Sequence, residues 1–291
     1  MMRREERIAW IFLTPSVIAF FVFMAYPVVL GLLLSFTSNK GINSPLNFIG
    51  LGNYARLLTD SYFSISLWNN AFYMLTFTPL VVGVALLFAL LLNLKIIGRK
   101  MFRTLFFFPY MSSMVAVAII WNYVLSPNGP VNGFLQFLGM VSPPQWLLDQ
   151  KWAMFSVVLV AVWKEFGFYM VILLAGLQTI PEYLYEAATI DGARSWQKLW
   201  RITIPMVSPT LFLCIIMAVI SSFQVFDLVN IMTEGGPGRA TNVLVLRIYQ
   251  EGFTNVKMGY ASAISYVLFA ITMVITLLQF KIQNKWVTYN Q

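Results

Sequence analysis

Residues 71–94 read AFYMLTFTPLVVGVALLFALLLNL. The stretch holds no Asp, Glu, Lys or Arg, and its polar residues do not alternate with apolar ones. At about 1.5 Å per residue, a helix of this length crosses a hydrocarbon core about 30 Å thick. A membrane β-strand is excluded, because its lipid and lumen faces would alternate with period two. Working outward, five further runs have the same character: Ile8–Phe36, 105–125, 152–177, 206–232 and 260–280. The expected fold is all-α: a polytopic membrane protein with six transmembrane helices, forming a single domain over residues 1–291.

The composition agrees. Of 291 residues, 59% are hydrophobic and 10% charged, and the mean hydropathy is +0.75. A soluble domain carries roughly 45–50% apolar and about 25% charged residues. So little charge excludes an ordinary soluble protein, a disordered chain and a disulfide scaffold. Cys214 is the single cysteine and histidine is absent, which removes intrachain disulfides, imidazole metal sites and Ser-His-Asp triads. No metal site and no catalytic residue are expected. The run from Ile8 has a basic start, but it is too long for a signal-peptide core and no small-x-small cleavage site follows. It reads as a retained span, with kinks expected at Pro15 and Pro27.

Lys and Arg give the orientation. With the N-terminus inside, segments 1–7, 95–104, 178–205 and 281–291 hold twelve bases: Arg3, Arg4, Arg7, Lys95, Arg99, Lys100, Arg103, Arg194, Lys198, Arg201, Lys281 and Lys285. The outer loops hold six: Lys40, Arg56, Lys151, Arg239, Arg247 and Lys257. The excess puts both termini in the cytoplasm. It also accounts for the net charge of +8 without nucleic acid. The four bases of 95–104 suit the cytoplasmic lipid face.

The inner segment 179–205 reads TIPEYLYEAATIDGARSWQKLWRITIP. Pro181 suits a first helical turn after a Thr179 cap, and Glu182 suits the dipole there. Leu184, Ala187 and Ala188 form a small apolar face. Gly192 is placed to end the helix in a left-handed conformation. Ser195 is placed to cap a second helix, with Trp196, Leu199 and Trp200 on one side. A helix-turn-helix results. Its small residues allow close packing into a groove on another protein; the alternative is an amphipathic hairpin lying on the lipid surface.

Glu186-Ala187-Ala188, three residues, Gly192, nine residues and Ile202-Thr203-Ile204-Pro205 together resemble the EAA loop of importer-type ABC permeases. Ile204 stands where the family has Leu. The resemblance extends over nearly the whole chain and is strongest to carbohydrate-uptake permeases of the maltose, lactose and glycerol-3-phosphate type. It includes Phe48-Ile-Gly-Leu-Gly-Asn-Tyr54, Arg103-Thr-Leu-Phe-Phe-Phe-Pro109, Val162-Trp-Lys164, Gly176-Leu-Gln-Thr-Ile-Pro181, Ser222-Phe-Gln-Val-Phe-Asp227 and Gly235-Gly-Pro237. The N-terminal pattern is closer to the first of the two paralogous subunits.

The resemblance implies a heterodimer with a second permease, two cytoplasmic ATPase subunits, an extracytoplasmic solute-binding protein and a sugar substrate. It implies the cell (inner) membrane of a bacterium or archaeon, with coupling to the ATPase through Glu186, Ala187, Ala188, Asp191, Gly192, Ile202 and Pro205. No G-x-x-x-x-G-K-[ST] occurs, so this chain carries no phosphate loop. No cofactor is expected on it; ATP and Mg would belong to the partner subunits.

Polar residues within the spans are the candidates for the translocation path. Lys164, Glu165 and Asp227 each need a reason, because a charge at mid-bilayer costs about 2.5–3.5 kcal/mol. Lys164 and Asp227 are expected to pair across helices, or else to snorkel to the outer interface. Asn122, Tyr123, Phe168, Tyr169, Ser221, Ser222 and Gln224 line a cavity or serve helix packing. Glu165 departs from the small or polar residue of the resembling family, which makes it the candidate for substrate tuning. A secondary transporter would show broken helices and repeats around midplane acids, and a membrane enzyme would need catalytic groups that this chain lacks.

Overall fold

The computed structural model describes residues 2–39, 41, 47–94, 97–283 and 285–287, without the side chains of 2–9 and 11. Lys40, Lys95 and the side chains of Arg3, Arg4 and Arg7, which entered the orientation count, lie outside the described residues, as do residues 288–291.

The described residues are predominantly helical. Met2–Phe20 (α1) and Tyr26–Ser35 (α2) are joined by a π-helical turn at Phe21–Ala25. Gly52–Thr59 (α3) leads to the long Ser61–Asn93 (α4). Then come Arg99–Met111 (α5), Met114–Val124 (α6), Pro130–Phe137 (α7) and Gln150–Gln178 (α8). Glu182–Ile190 (α9) and Ser195–Lys198 (α10) precede a π-helical turn, Leu199–Thr203, and Ile204–Phe223 (α11). Asp227–Met232 (α12), Leu244–Tyr249 (α13) and Met258–Gln283 (α14) complete the order. Among the described residues the only extended pairing is a lone bridge between Thr37 and Phe48. Both π-helical turns named here shortly precede a proline, Pro27 or Pro205. A widened turn accommodates a ring that has no N–H to offer the preceding carbonyls.

Among the described residues, five helical stretches are long and apolar enough to cross a membrane: Phe12–Ser35, Ser61–Asn93, Gln150–Gln178, Ser195–Phe223 and Met258–Gln283. The third expected span, 105–125, is not straight: α5 and α6 meet at a bend of 95°. Pro109 ends the regular ladder and Ser112 turns extended, at φ −73° and ψ 149°. The count is six if the bent pair is one span. The fifth expected span, 206–232, also breaks: α11 ends at Phe223 and the chain restarts as α12 at Asp227.

The chain divides into two compact units, one of Met1–Phe63 with Arg247–Phe269 and one of Ser64–Leu246 with Ala270–Gln291. In the larger unit α8 is the central post. It is the most buried of the long helices, through residues such as Val157, Ala161, Met170 and Leu173, while one stripe, Phe155, Leu159 and Trp163, stays exposed. Phe77, Val81 and Ala85 of α4 and Val207, Cys214 and Ala218 of α11 complete its core. Small residues allow backbone to approach backbone. A Cβ on Gly167 of α8 would overlap the Phe106 carbonyl oxygen of α5, and one on Gly176 would lie 2.8 Å from the Thr210 Cβ of α11.

Polar side chains of α4 hold the segment after the break. Ser66 Oγ donates to Asn242 Oδ1 at 2.9 Å, and Asn69 Nδ2 donates to the carbonyls of Arg239 and Asn242, each at 2.9 Å. Asn70 is fully buried; its Nδ2 donates to Ser222 O at 3.2 Å and its Oδ1 accepts from Leu244 N at 2.8 Å. A helix end inside a bilayer must satisfy its backbone internally, and Asn70 does so for the end of α11.

The smaller unit is built around charge. Arg247 Nη2 lies 3.2 Å from Asp60 Oδ2 and 2.9 Å from Glu251 Oε1. Tyr260 donates to the same Asp60 oxygen at 2.6 Å, and Lys257 Nζ lies 3.8 Å from Glu251. Arg56 stacks over the Tyr260 ring, 4.1 Å from its centroid. Burial pushes the Asp60 carboxyl up, but the hydrogen bonds from Tyr260 and the Tyr62 N–H and the Arg247 guanidinium together hold it below its ordinary value.

Candidate functional site

Two sets of candidate residues arise, one on the hairpin α9–α10 and one among the long helices. The hairpin is tightly closed. Gly192 takes φ +73°, the left-handed conformation expected of it. Ala193 N donates to Ala188 O at 2.8 Å and Gly192 N to Thr189 O at 3.0 Å, the bond pair of a Schellman ending. Lys198 Nζ reaches Thr189 Oγ1 at 2.7 Å, and Tyr185 Oη meets Thr203 Oγ1 at 3.0 Å. Leu184 and Tyr185 pack against the core.

The outward side carries Glu186, Ala187, Asp191 and Gly192, all exposed, while Ala188, Ile202 and Pro205 are half-buried. Around them stand Tyr183, 65% exposed, Ile190, 87%, Trp196, 67%, and Trp200, 53%. Trp196 and Trp200 meet edge to face at 5.4 Å. Two capping expectations are corrected. Thr179 does not start α9; its Oγ1 donates to Gly176 O at 2.8 Å and closes α8. Nor does Ser195 cap α10. Arg194 is the N-cap, and its N–H donates to Gln197 Oε1 at 2.8 Å.

The second set is only partly brought together. Glu165 of α8 accepts from Ser221 Oγ of α11 at 3.5 Å, and Tyr169, one turn along α8, is buried. Phe168 stacks on Tyr110, with centroids 4.6 Å apart. Ser222 is buried and bonds its own helix, at Val219 O. Asn122 Nδ2 lies 3.5 Å from Ile231 O. Tyr123, Gln224 and Asp227 are exposed.

The Lys164–Asp227 pair is corrected. Lys164 Nζ donates to Tyr110 O at 3.1 Å and lies 5.5 Å from the centre of that ring. Among the described residues the ion pairs join Arg247, Asp60, Glu251 and Lys257. Asp227 opens α12 as an exposed residue beyond the break, so it is not a charge within a continuous span. The bend at 112–113 frees the Tyr110 carbonyl that Lys164 takes. Ser66, Asn69 and Asn70 escaped notice; their signal is a polar triplet at i, i+3 and i+4 entering an apolar run.

Long apolar helices around a buried post, with a closed helical hairpin standing exposed, define an integral membrane protein of the permease type. The chain belongs to the family of binding-protein-dependent transport system inner membrane components, whose match runs over residues 81–287. It is 36% identical to a probable ABC transporter permease protein, YesP, of Bacillus subtilis, over 99% of this chain and 94% of the relative. It is 36% identical to the lactose transport system permease protein LacF of Rhizobium radiobacter, over 93% of this chain and 92% of that one. A chain in the crystal structure of a bacterial ABC transporter involved in the import of the acidic polysaccharide alginate superimposes with a TM-score of 0.83, at 25% identity, over 98% of both chains. The relatives are transport subunits rather than enzymes, and the family implies no cofactor on this chain.

Proposed function

We propose that this chain is one of two paralogous permease subunits of an ATP-driven, binding-protein-dependent importer of a sugar or oligosaccharide. Residues 1–291 act as one permease domain in a bacterial or archaeal cell membrane, with both termini cytoplasmic. Two ATPase subunits, holding ATP and Mg, dock on the inner face, and a solute-binding protein docks on the outer loops. The observation that carries this reading is the hairpin. Leu184 and Tyr185 pack it against the core, yet it leaves Tyr183, Ile190, Trp196 and Trp200 bare. An apolar cluster of that kind on a soluble face marks a protein contact.

In this reading Glu186, Ala187, Ala188, Asp191 and Gly192 meet the ATPase, and Ile202 and Pro205 pass the movement to α11 as a rigid body. Glu165, Tyr169 and Ser221 line the path, and Glu165 tunes the substrate. Affinity purification of the chain in mild detergent, with mass spectrometry of its companions, tests the assembly. Recovery of a second permease and a nucleotide-binding subunit is expected. Recovery of the chain alone, without ATP-dependent uptake in vesicles, would refute it.

Gly192 gives a sharper test. Among the described residues, its chain neighbours aside, no atom lies within 4 Å of where its Cβ would stand, so a side chain there meets open space and only the backbone objects. The left-handed conformation costs a branched residue about 1–2 kcal/mol, enough to reshape the end of α9. Gly192→Val is expected to lose at least about tenfold in ATP-driven uptake, the factor for about 1.4 kcal/mol, at unchanged membrane levels. Gly192→Asn, which tolerates the conformation, should retain uptake. Equal uptake by the valine variant and the parent would remove the assignment.

A further inference from the structure

The larger unit holds a cavity of ≈ 330 Å³ that stands apart from the hairpin and shares only Asn122 with the intramembrane set. It lies between the end of α6, the loop carrying Gln145 and Trp146, and the turn that follows α12. Asn122, Gln145, Thr233 and Glu234 bring polar groups to its wall, and Trp146 brings an aromatic surface. Among the described residues, none that lines it is Lys or Arg. Its volume is in the range of small-molecule sites, about 300–1,000 Å³, and apolar walls with a few convergent polar groups are their usual chemistry.

The walls are held in place. Trp146 Nε1 donates to Asn132 Oδ1 at 2.7 Å, and Asn132 is only 3% exposed. The Nδ2 of Asn132 bonds the carbonyls of Pro127 and Pro144 at 3.1 and 3.3 Å. On the other side Thr241 Oγ1 donates to Gly236 O at 2.7 Å and meets Thr233 Oγ1 at 2.7 Å. Glu234 sits at φ +52°, a left-handed conformation uncommon for a residue with a side chain. Its N–H donates to Val229 O at 3.0 Å. Such strain persists where the surroundings over-determine it, and it gathers at ligand clamps.

We infer that this cavity is a saccharide subsite for one pyranose ring of an uncharged oligosaccharide. The inference rests on the importer reading and adds to it a place and a charge class for the ligand. Trp146 supplies the surface for the apolar patch of a sugar ring. Asn122 and Gln145 present planar amides that both donate and accept. The Glu234 carboxylate accepts from neighbouring hydroxyls, in charge-assisted bonds stronger than neutral ones. With no base in the wall, a uronate or phosphate would face Glu234 uncompensated. The subsite therefore selects against anionic saccharides. It differs in this from what the acidic polysaccharide of the alginate importer would need.

The test uses the whole transporter in detergent, with this chain carrying Cys214→Ser and Ser126→Cys. Ser126 lines the cavity, and cysteine is close to it in size. Labelling of residue 126 by a maleimide is followed by mass on this chain, with maltotriose, cellotriose, raffinose or trigalacturonate present. At a probe concentration about ten times its dissociation constant, a bound neutral trisaccharide should slow labelling about tenfold. Trigalacturonate should not slow it. Glu234→Gly, which removes the carboxylate without backbone strain, should abolish protection while the complex stays monodisperse. The proposal fails if no neutral probe protects, if trigalacturonate protects equally, or if Glu234→Gly leaves protection intact. A transporter that keeps its ATPase and its ATP-driven uptake through such a failure retains the importer reading and loses only the subsite.

Discussion

Gly167→Val is expected to abolish recovery of folded protein from the membrane. Gly167 lies in the middle of α8, where α5 crosses it at backbone distance. A Cβ there would overlap the Phe106 carbonyl oxygen and stand 2.7 Å from its carbonyl carbon and 3.0 Å from the Phe107 Cα. These are backbone atoms, so no rotamer change relieves the overlap. The helices must separate, taking with them the contacts of Phe106 with Phe166 and Phe88 and the Lys164 bond to Tyr110 O. Overpacking alone costs about 1–3 kcal/mol, and occasionally more. Here the loss of a helix interface adds to it. Size-exclusion profiles and thermal midpoints of detergent-solubilised protein measure the effect. Gly83 of α4 is the control, because nothing lies within 4 Å of where its Cβ would be. Gly83→Ala should match or exceed the parent. A parental midpoint for Gly167→Val would show that α5 and α8 do not depend on this approach.

Arg247→Ala is expected to be nearly as damaging. The Arg247 side chain is 9% exposed and those of its partners Asp60 and Glu251 are 10% and 3%. Its removal strands Asp60 without a cation and leaves Glu251 only the more distant, exposed Lys257 Nζ at 3.8 Å. Breaking a buried pair in this way costs about 3–5 kcal/mol, mostly through the stranded charge. Arg247→Lys keeps the charge but not the fork that serves Asp60 and Glu251 together, so a partial loss is expected. Removing the carboxylates as well, in Asp60→Asn with Glu251→Gln and Arg247→Met, should recover much of the stability. If Arg247→Ala and the triple variant melt together, the network contributes nothing specific. The pH dependence has a definite sign. Asp60 is lowered in the folded state, so its contribution is present above the ordinary carboxylate value of 3.8 and lost as pH falls through the lower folded value. Arg247→Ala should reduce that acid sensitivity.

The helical class and the approximate places of the apolar helices were legible because a bilayer imposes them locally. A run such as 71–94 has one way to satisfy its backbone in lipid, and composition alone announces it. The hairpin was legible for a similar reason: Gly192 is a local stop signal whose backbone geometry needs no distant partner. Where the reading went astray, the deciding partner was distant. Averaged over about 20 residues, the apolar run 105–125 hides the two serines at which α5 and α6 part. Asp227 looked intramembrane because its neighbours are apolar, but the chain breaks three residues before it. For Lys164 the sequence offers only an acid on another span as partner. Its partner is a backbone carbonyl, which no pattern of side chains can announce.

The sequence by itself therefore determined the solvent, the helices, the orientation signal and the hairpin, all properties of contiguous residues. Only the tertiary structure decided which polar groups meet. It joined Glu165 to Ser221 rather than to a base, gave Asn70 the broken end of α11 and assembled Arg247 with Asp60 across 187 positions of chain. It also closed a cavity with residues from three separate segments. Such pairings depend on the register at which helices cross. That register is set by small residues such as Gly167 and Gly176, whose significance lies in what is pressed against them.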